Sequence, residues 1–318
     1  MSGSFAVGVD LGGTKMLAGV VDDYCKVLYR RTEPSSGQTE NALLDLAVEV
    51  ISDALARHPE AGGVGLGIPC TIDRRRGVAI AAVNLPIVDV PIVEVLSERL
   101  RVPIWIDNDA NTAALAEHRF GAAKGTENAV MVTVGTGIGG GLIINGEVYR
   151  GTIGAGAELG HVVIDVDGPP CQGNCPGRGC AESLASGTAL GREGLEAARR
   201  EPDSVLGRAL AEGQPIDGAA VTDAAHAGDE VARDVVALIG RRLGAALTSY
   251  ANIFEPDVIV VGGGVSSAGD FLLEPARAVV RERALVPMRD TPIRLAEMGP
   301  DAGMIGAAIM AREELERS

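Results

Sequence analysis

Two periods of apolar residues alternate along the chain, and they predict a mixed α/β protein. Residues 5–32 alternate apolar and polar positions and break at glycines, which predicts three short antiparallel strands. Residues 40–57 instead carry apolar residues at helical spacing, which predicts a helix with one buried face. The same reasoning continues with a strand at Val64–Ile68, a loop at 73–91, a helix at 92–100, a strand at Ile104–Ile106 and a helix at 112–120.

After a break at Lys124–Asn128, the strand pattern of the first residues recurs. We predict strands at Ala129–Val134, Leu142–Ile144 and Glu147–Arg150, the last two joined by an Asn-Gly hairpin turn. The rest of the chain is predicted as mostly helical residues 182–253, a strand at Asp257–Val261, a helix at 267–284, a strand at 292–297 and a helix ending near residue 315.

A repeated three-stranded unit in 318 residues indicates two similar α/β lobes. We expect an N-terminal lobe of residues 1–122, joined by the C-terminal helix 303–318. The C-terminal lobe would comprise residues 123–302 and include a cysteine-rich loop at 154–182.

Glycine-rich turns follow several of the predicted strands. The first, Asp10-Leu11-Gly12-Gly13-Thr14-Lys15, offers backbone N–H groups and a hydroxyl to a phosphate, while Asp10 could face a hydrated Mg²⁺. Gly135–Gly141 and Gly262–Gly264 are similar, and the second of these precedes a helix, where phosphates bind well. Each turn alone is also compatible with an ordinary glycine hairpin.

Polar residues 107–111, Asp-Asn-Asp-Ala-Asn, come directly after a predicted strand and before a helix. Ligand chemistry in α/β folds concentrates at such carboxyl ends of strands. The alternative is that Asp107, Asp109 or Asn111 only caps the helix. Because more polar residues are present than one cap needs, we expect at least one carboxylate to take part in chemistry.

Residues 154–182 contain three of the five cysteines and one of the four histidines. The four soft ligands in this Gly- and Pro-rich loop predict a closed and therefore structural zinc site; they are His161, Cys171, Cys175 and Cys180. Disulfides are the alternative, but three cysteines cannot pair among themselves. Glu158 and Glu182 bracket the cluster.

The charge and the apolar content restrict the classes of function. The formal net charge is −15, which disfavours non-specific binding to nucleic acid or anionic membranes. No apolar run approaches the ~18 residues that cross a bilayer, and the sequence does not open with a secretory pattern. We therefore expect a soluble, cytoplasmic protein with reduced thiols.

Taken together, the motifs resemble those of the ROK family of sugar kinases and sugar-responsive repressors, over about residues 5–312. The motifs are DLGGTK (10–15), IDNDAN (106–111), GTGIGGG (135–141), GAELGH (156–161), GCAE (179–182) and GGG (262–264). The resemblance implies an actin-like, ribonuclease H-like ATPase fold with two similar lobes and a cleft between them for ATP and sugar.

The resemblance also implies roles for matching residues. Asp109 would be the general base that takes the proton from the sugar hydroxyl. The sugar contacts would be Asn84, Asn108, Asp109, Glu158, His161 and Glu182, with His161 also a zinc ligand. The triphosphate and Mg²⁺ would meet Asp10, Gly12, Gly13, Thr14 and Lys15, with Gly135, Thr136 and Gly137 opposite and Gly262, Gly263 and Gly264 near the nucleoside.

Two positions depart from the family pattern. Three residues separate Cys171 from Cys175, where the family usually has one, so Cys171 is the zinc ligand that the spacing supports least. Cys70 follows Gly-Ile-Pro where the family commonly has glycine, which affects the finer sugar contacts rather than the reaction.

The cysteine cluster with GHVVIDVDG and Glu182 resembles the glucokinase branch of the family. It implies phosphorylation of glucose at the 6-hydroxyl by MgATP. Because dimers are the default among soluble homo-oligomers, we expect a homodimer or homotetramer. Fructose, mannose, N-acetylmannosamine and N-acetylglucosamine stay open as substrates, and polyphosphate stays open as donor.

Three other classes of function fit parts of the sequence. Paired carboxylates such as Glu158 and Glu182 suit a glycosidase, but the phosphate turns would then have no purpose. A regulator of the same family would carry a helix-turn-helix ahead of the sugar domain, and none precedes the first strand here. A sugar-binding module without catalysis would be expected to lack Asp109 or the Gly/Thr turns.

Overall fold

The computed structural model describes residues 5–82 and 84–317, and the chain divides into two compact units. The first unit comprises the chain up to Gly125, the segment Gly141–Ala157 and the chain from Glu297 onward. The second comprises Thr126–Gly140 and Glu158–Ala296. Residues 141–157, which the sequence placed in the C-terminal lobe, thus group with the first unit.

Each half of the chain alternates strands and helices. The first half contains β1 (Phe5–Leu11), β2 (Lys15–Val21), β3 (Val27–Pro34), α1 (Glu40–Arg57), β4 (Ala61–Ile68), β5 (Cys70–Asp73), β6 (Val78–Ala82), β7 (Val88–Val90), α2 (Ile92–Leu100), β8 (Ile104–Asn108) and α3 (Asp109–Phe120). The second contains β9 (Ala129–Val134), β10 (Ile138–Ile144), β11 (Glu147–Val148), α4 (Ala181–Ala185), α5 (Gly187–Arg200), α6 (Val205–Ala211), α7 (Gly218–His226), α8 (Glu230–Phe254), β12 (Val258–Gly262), α9 (Asp270–Arg283), β13 (Ile293–Leu295) and α10 (Ala302–Arg317).

The first sheet has the strand order β3-β2-β1-β4-β8. β1, β2 and β3 are antiparallel neighbours, whereas β1, β4 and β8 run parallel. Asp10 pairs with Gly67 of β4, and Gly67 pairs with Asp107 of β8. The carboxyl ends of these parallel strands therefore bring Asp10 and the IDNDAN segment to one edge of the sheet.

The second sheet repeats this order as β11-β10-β9-β12-β13, and the boundary between the two units falls within β10. β9 and β12 are parallel, with Gly262 opposite Thr133, so the glycine turns that follow them share an edge. Two sheets with one strand order, each mixing antiparallel and parallel pairs, form the ribonuclease H-like topology of actin-like ATPases. The predicted fold class is confirmed.

Glycines allow α10 to lie directly on the first sheet. A Cβ added to Gly8 would lie 1.9 Å from the carbonyl oxygen of Met304, and one added to Gly65 would lie 1.9 Å from that of Ala307. Any side chain at these positions would push the helix away from β1 and β4. On the other face of the sheet, α1 packs with buried residues such as Leu43, Val50 and Ile51, as its spacing predicts.

The predicted loop at 73–91 is wrong. β5, β6 and β7 instead form a small sheet, in which they pair in order. The turn between β5 and β6 is closed by the N–H of Arg76, which donates to Asp73 Oδ1 at 3.1 Å, and by Gly77 at a φ of 67°. The three strands are only three to five residues long, and the basic run that interrupts the first two hid their alternation.

Contacts made by residues 141–157 explain why they group with the first unit. A Cβ on Gly141 would lie 2.6 Å from that of Ala114 in α3, so the chain passes very close to this helix. Arg119 of α3 donates to the carbonyl oxygen of Gly146 at 3.1 Å, and Arg150 pairs with Asp107 at 2.5 Å.

Across the described ranges 5–82 and 84–317, no helix has both the length and the apolar character that a membrane crossing requires.

Candidate functional site

In the first unit, the turn between β1 and β2 is a tight hairpin with an exposed hydroxyl. The Gly12 N–H donates to the Lys15 carbonyl oxygen at 3.0 Å, and the Ser35 hydroxyl donates to the Gly12 carbonyl oxygen at 2.5 Å. Thr14 and Lys15 are exposed. A Cβ on Gly13 would lie 2.9 Å from the Cβ of Asn84, so the structure places this predicted sugar contact beside the turn.

Asp10, just before that turn, is an acid in an unfavourable environment. Burial, together with the negative charges of Asp109 and Asp301, raises its pKa to about 7, and the positive charge of Lys15 offsets this only in part. A divalent cation would relieve both the desolvation and the repulsion, because oxygen ligands of this kind are those that Mg²⁺ takes in proteins. The residues present thus fit the predicted Mg²⁺ site.

At the end of β8, the helix cap and the candidate base are different residues. Asn108 is the N-cap of α3, and its Oδ1 accepts from the Ala110 N–H at 2.9 Å. Asp109 is the first residue of the helix, which begins three residues earlier than the predicted 112. A carboxylate in the first turn is stabilised by the helix dipole. Since Asn108 makes the cap, the cap alternative does not account for Asp109.

Asp107 and Asn111 are buried supports of this segment. Asp107 is 2% exposed and Asn111 is 1% exposed. Asn111 donates its amide to Asp107 Oδ1 at 2.9 Å, and Arg150 donates to Asp107 Oδ2. Arg150 was missed in the sequence, where an arginine after a short strand gives no signal of a buried ion pair.

Cys70, which replaces the glycine common in the family, is buried at the start of β5. Burial and then the charge of Asp109 raise the pKa of its thiol to about 12. Its carbonyl oxygen accepts from the Asn108 amide at 3.4 Å. The thiol therefore stays protonated and acts as a small apolar group beside the candidate base.

In the second unit, residues 135–137 form a turn that is held from one side by the segment 182–188. The Gly135 N–H donates to the Gly137 carbonyl oxygen at 2.9 Å, which closes the turn. Glu182 Oε2 accepts from the Ile138 N–H at 2.8 Å. Two further bonds reach the turn, from the Gly187 N–H to the Gly135 carbonyl oxygen at 2.7 Å and from the Thr188 hydroxyl to the Thr136 carbonyl oxygen at 2.8 Å.

The third glycine turn lies at the same edge of the second sheet. Gly263 has a φ of 85°, and a Cβ there would lie 2.5 Å from the carbonyl oxygen of Val134, the last residue of β9. Gly263 and Gly264 are exposed. The turns after β9 and β12 therefore present neighbouring backbone to a ligand, the arrangement typical of phosphate and nucleotide binding in α/β sheets.

Glu158, His161 and Glu182 lie close enough to influence one another. Burial raises the pKa of Glu158, His161 opposes this, and the charge of Glu182 raises it again. His161 ends a short 3₁₀ helix, Leu159–His161, which is anchored where the buried Tyr250 hydroxyl donates to the Leu159 carbonyl oxygen at 2.5 Å.

The predicted zinc ligands converge. The ligand atoms of His161, Cys171, Cys175 and Cys180 all lie within 4.8 Å of one another, and the cysteines are free thiols. Cys171 Sγ lies 3.6 Å from His161 Nδ1. Two tetrahedral ligands of one zinc ion, at about 2.0 and 2.3 Å from it, are about 3.6 Å apart. Cys171, whose spacing departs from the family, thus lies where a ligand would.

Two of these thiols, those of Cys171 and Cys180, have raised pKa values. Burial, together with hydrogen bonds to Cys180 and Cys175, raises the pKa of Cys171 to about 12. A metal ion reverses this, because thiolates are its ligands. The loop closes through bridges that pair Val163 with Cys180 and Pro170 with Arg178.

The predicted site residues thus form one group in each unit. The first unit holds Asp10, Gly12, Gly13, Thr14, Lys15, Asn84, Asn108 and Asp109. The second holds Gly135, Thr136, Gly137, Glu158, His161, Cys171, Cys175, Cys180, Glu182, Gly262, Gly263 and Gly264. The bonds from residues 187 and 188 to the Gly135–Gly137 turn were not predicted, since nothing in the sequence marks them as partners of residues 50 positions earlier.

Two mixed sheets of one strand order, with carboxylates and glycine turns at the ends of their parallel strands, define a member of the actin-like ATPase class. The sequence profile of the ROK family matches residues 6–314, and the chain belongs to that family.

Relatives extend over the full chain. The glucokinase of Streptomyces coelicolor is 38% identical over 314 residues, covering 96% of this chain and 97% of the relative. A ROK family glucokinase from Streptomyces griseus, solved in complex with glucose and AMPPNP, is 34% identical with a TM-score of 0.85, covering 98% of this chain and 100% of its own. The ROK hexokinase from Thermus thermophilus is 36% identical with a TM-score of 0.80, covering 99% and 100%.

Proposed function

We propose that this protein transfers the γ-phosphoryl group of ATP to the 6-hydroxyl of glucose, giving glucose 6-phosphate and ADP. The bond from the sugar O6 to phosphorus forms, the bond from phosphorus to the ADP oxygen breaks, and Asp109 takes the hydroxyl proton. Phosphoryl transfer depends on positioning and charge neutralisation, and the site residues suit both.

The observation that carries the proposal is the position of Asp109. It stands at the carboxyl edge of the first sheet, at the start of α3, where it raises the pKa of Asp10. Asp109, the proposed base, lies close enough to Asp10, the candidate Mg²⁺ ligand, for its charge to raise the pKa of Asp10. This proximity suits a hydroxyl nucleophile next to a metal-bound triphosphate. Glucose as the sugar is supported by glucokinases at 34% and 38% identity over nearly the full chain.

We assign the nucleotide contacts to the turns. Asp10 would hold Mg²⁺, which neutralises the charge of the phosphate oxygens. Gly12, Gly13, Thr14 and Lys15 in the first unit, and Gly135, Thr136 and Gly137 in the second, would contact the phosphates through backbone N–H groups and side chains. Gly262, Gly263 and Gly264 would lie near the nucleoside.

We assign the sugar contacts to Asn84, Asn108, Glu158, His161 and Glu182. These side chains offer donors and acceptors to a polyhydroxyl substrate. A buried polar group without a partner is costly, so a sugar with a missing or inverted hydroxyl should be penalised.

We assign a structural Zn²⁺ to His161, Cys171, Cys175 and Cys180. The ion would fix the loop 154–182 and, with it, the positions of the Glu158 and Glu182 side chains.

We further propose that the protein is cytoplasmic and forms a homodimer or homotetramer. Light scattering on the purified protein would test the oligomeric state.

The sugar assignment is tested by kcat/KM with ATP across glucose, fructose, mannose, N-acetylmannosamine and N-acetylglucosamine. We expect glucose to lead. If another sugar exceeds glucose by about tenfold or more, which corresponds to ~1.4 kcal/mol, the glucose assignment is wrong while the kinase assignment stands.

The base assignment is tested by Asp109→Asn, which keeps the shape of the side chain and removes the proton acceptor. We expect kcat to fall by about 10²–10⁴ with the fold intact. Asp23→Asn, at an exposed carboxylate past the end of β2 that is opposite to the DLGGTK turn, is the matched control and should retain wild-type turnover. Wild-type turnover in Asp109→Asn would disprove the role of Asp109.

A further inference from the structure

A buried ion pair lies directly before the proposed base. Asp107, the residue before the cap of α3, is 2% exposed. Its Oδ1 accepts from the Asn108 N–H and from the Asn111 amide, each at 2.9 Å. Its Oδ2 accepts from Arg150 Nε at 2.5 Å. Among the residues that the structure describes, the hydrogen bonds of this carboxylate therefore go to the segment that carries Asp109 and to Arg150.

Arg150 reaches this carboxylate from a loop that holds its backbone firmly. It follows β11, and its side chain is 18% exposed. The Gly156 N–H donates to the Arg150 carbonyl oxygen at 3.0 Å, and a Cβ on Gly156 would lie 2.9 Å from the Arg150 carbonyl carbon. The loop is thus folded back on itself, and a second Arg150 nitrogen donates to the Val148 carbonyl oxygen at 3.3 Å.

Without Arg150, Asp107 would be a buried charge with no charged partner among these contacts. Such a group either gains a proton or turns toward water, and either change alters the bonds that it accepts. Asn111 depends on Asp107 in particular, because its buried Oδ1 has no hydrogen-bond partner among the described residues and its amide bonds Asp107.

We propose that Arg150 is a positioning residue for phosphoryl transfer. It holds the carboxylate of Asp107, which fixes the peptide of Asn108 and the first turn of α3, and so sets the direction of the Asp109 side chain. This inference rests on the proposed role of Asp109 as base. Arg150 itself touches neither substrate in this assignment.

The expected signature is a loss in kcat with little change in KM. Displacement of a catalytic group by about 1 Å costs on the order of 10² in rate. For Arg150→Gln we expect kcat to fall by about 10- to 100-fold, while the KM values for glucose and ATP stay within about threefold. Arg150→Lys retains the positive charge without the guanidinium fork, so its kcat should fall less than that of Arg150→Gln.

Two further variants separate positioning from a general effect on the fold. Arg317 of α10 pairs at an exposed position with Glu147, which lies in the same segment as Arg150. Arg317→Gln should leave kcat unchanged. Asp107→Asn should lower kcat as Arg150→Gln does. In the double variant, the second change should add little, because the two residues act as one unit.

The experiment measures kcat and both KM values for these variants and for Asp109→Asn, with thermal unfolding as the check of folding. If Asp109→Asn is inactive and Arg150→Gln and Arg150→Lys turn over within twofold of wild type, the positioning role is wrong. It is also wrong if KM rises and kcat does not fall, or if the losses in the double variant multiply. If Asp109→Asn is active, the proposed base itself is wrong. Should Arg150→Gln fail to fold, Arg150→Lys gives the same comparison.

Discussion

At the scale of single residues, the candidate site contains a carboxylic acid, Asp10, whose ionised form is disfavoured. Asp10 has a pKa near 7 because burial and the charge of Asp109 disfavour its ionised form. Close packing prevents it from moving away, since a Cβ on Gly303 of α10 would lie 2.8 Å from Asp10 Oδ2. Such strain at a candidate metal ligand is typical of a site that is completed by its cation.

This strain predicts how stability depends on pH without Mg²⁺. The folded-state pKa of Asp10 is raised from 3.8 to about 7, so the folded protein holds this proton more tightly than the unfolded chain. The free energy of unfolding should therefore fall as the pH rises from 3.8 to about 7, and the whole loss of stability is present above that range. Asp10→Asn removes the cost, and should be more stable than wild type at pH 8 by about 1 kcal/mol or more.

Thermal or urea unfolding between pH 5.5 and 8 in EDTA measures the effect. The advantage of Asp10→Asn should grow with pH and shrink in the presence of Mg²⁺. Asp23→Asn, at an exposed carboxylate, should show no such trend. An advantage that is constant over the range would contradict the raised pKa as its cause.

At the scale of elements, α4 connects the cysteine loop with the Gly135–Gly137 turn. Glu182, in its first turn, accepts from the Ile138 N–H, and its Oε1 lies 3.9 Å from Cys171 Sγ. Ser186, just after this helix, accepts from the Gln172 amide at 2.9 Å. The cysteine loop and the Gly135–Gly137 turn are therefore held by the same short segment of chain.

Gly137→Ala tests this connection. A Cβ there would lie 2.3 Å from Glu182 Oε2, so the carboxylate must move and lose the Ile138 N–H. We expect the KM values for both ATP and glucose to rise, because Glu182 supports the turn and is the proposed sugar contact, with kcat/KM falling by about 10-fold or more.

Gly135→Ala is the matched control in the same turn, since a Cβ there meets no atom within 4 Å. Gly135→Ala should lower kcat/KM clearly less than Gly137→Ala does. Equal losses in the two variants would mean that the turn is sensitive to any side chain, rather than to the position of Glu182.

Loss of the metal should affect the same segment. Cys175→Ser removes one of the four converging ligands, so we expect the zinc content to fall from about one ion per chain to near zero. Amide exchange of residues 154–182 should increase and glucose binding should weaken, because His161 and Glu182 belong to this region. Cys25→Ser is the control outside the cluster. Wild-type glucose affinity in metal-free Cys175→Ser would contradict the link.

At the scale of the whole molecule, the net charge of −15 is the dominant feature. A strongly acidic chain repels extended polyanions, whereas a single nucleotide can bind where backbone N–H groups and Mg²⁺ offset its charge. The two sheets share one strand order.

We therefore expect ATP to be preferred to polyphosphate by more than about tenfold in kcat/KM, with glucose saturating, and added salt to reduce the gap. Initial rates with both donors, at equal concentrations of terminal phosphate, measure this ratio. A polyphosphate rate equal to that with ATP would show that a local basic surface outweighs the overall charge.

The sequence by itself determined the elements whose pattern is local. The spacing of apolar residues and the glycines predicted three antiparallel strands within residues 5–32, close to where β1, β2 and β3 lie, and a helix at residues 40–57, which is where α1 lies. Repetition of the strand pattern predicted two sheets of one kind, and the residue types of the cysteine loop predicted four candidate metal ligands, whose ligand atoms converge. The strands and the helix could be predicted because they depend on contacts between residues that are near in the sequence. The candidate ligands could be predicted because a loop with three cysteines and a histidine has few roles other than binding a metal.

Tertiary structure decided what depends on partners far apart in the chain. The sheet of β5, β6 and β7 consists of short strands whose pairing, rather than their periodicity, buries them. Which polar residue of 107–111 caps α3 was decided by its partners: Asn108 makes the cap, whereas Asp107 accepts from Asn111 and from the distant Arg150. The pKa of Asp10 likewise depends on burial beneath α10, almost 300 residues later, because desolvation is a property of the packed protein and not of any local sequence.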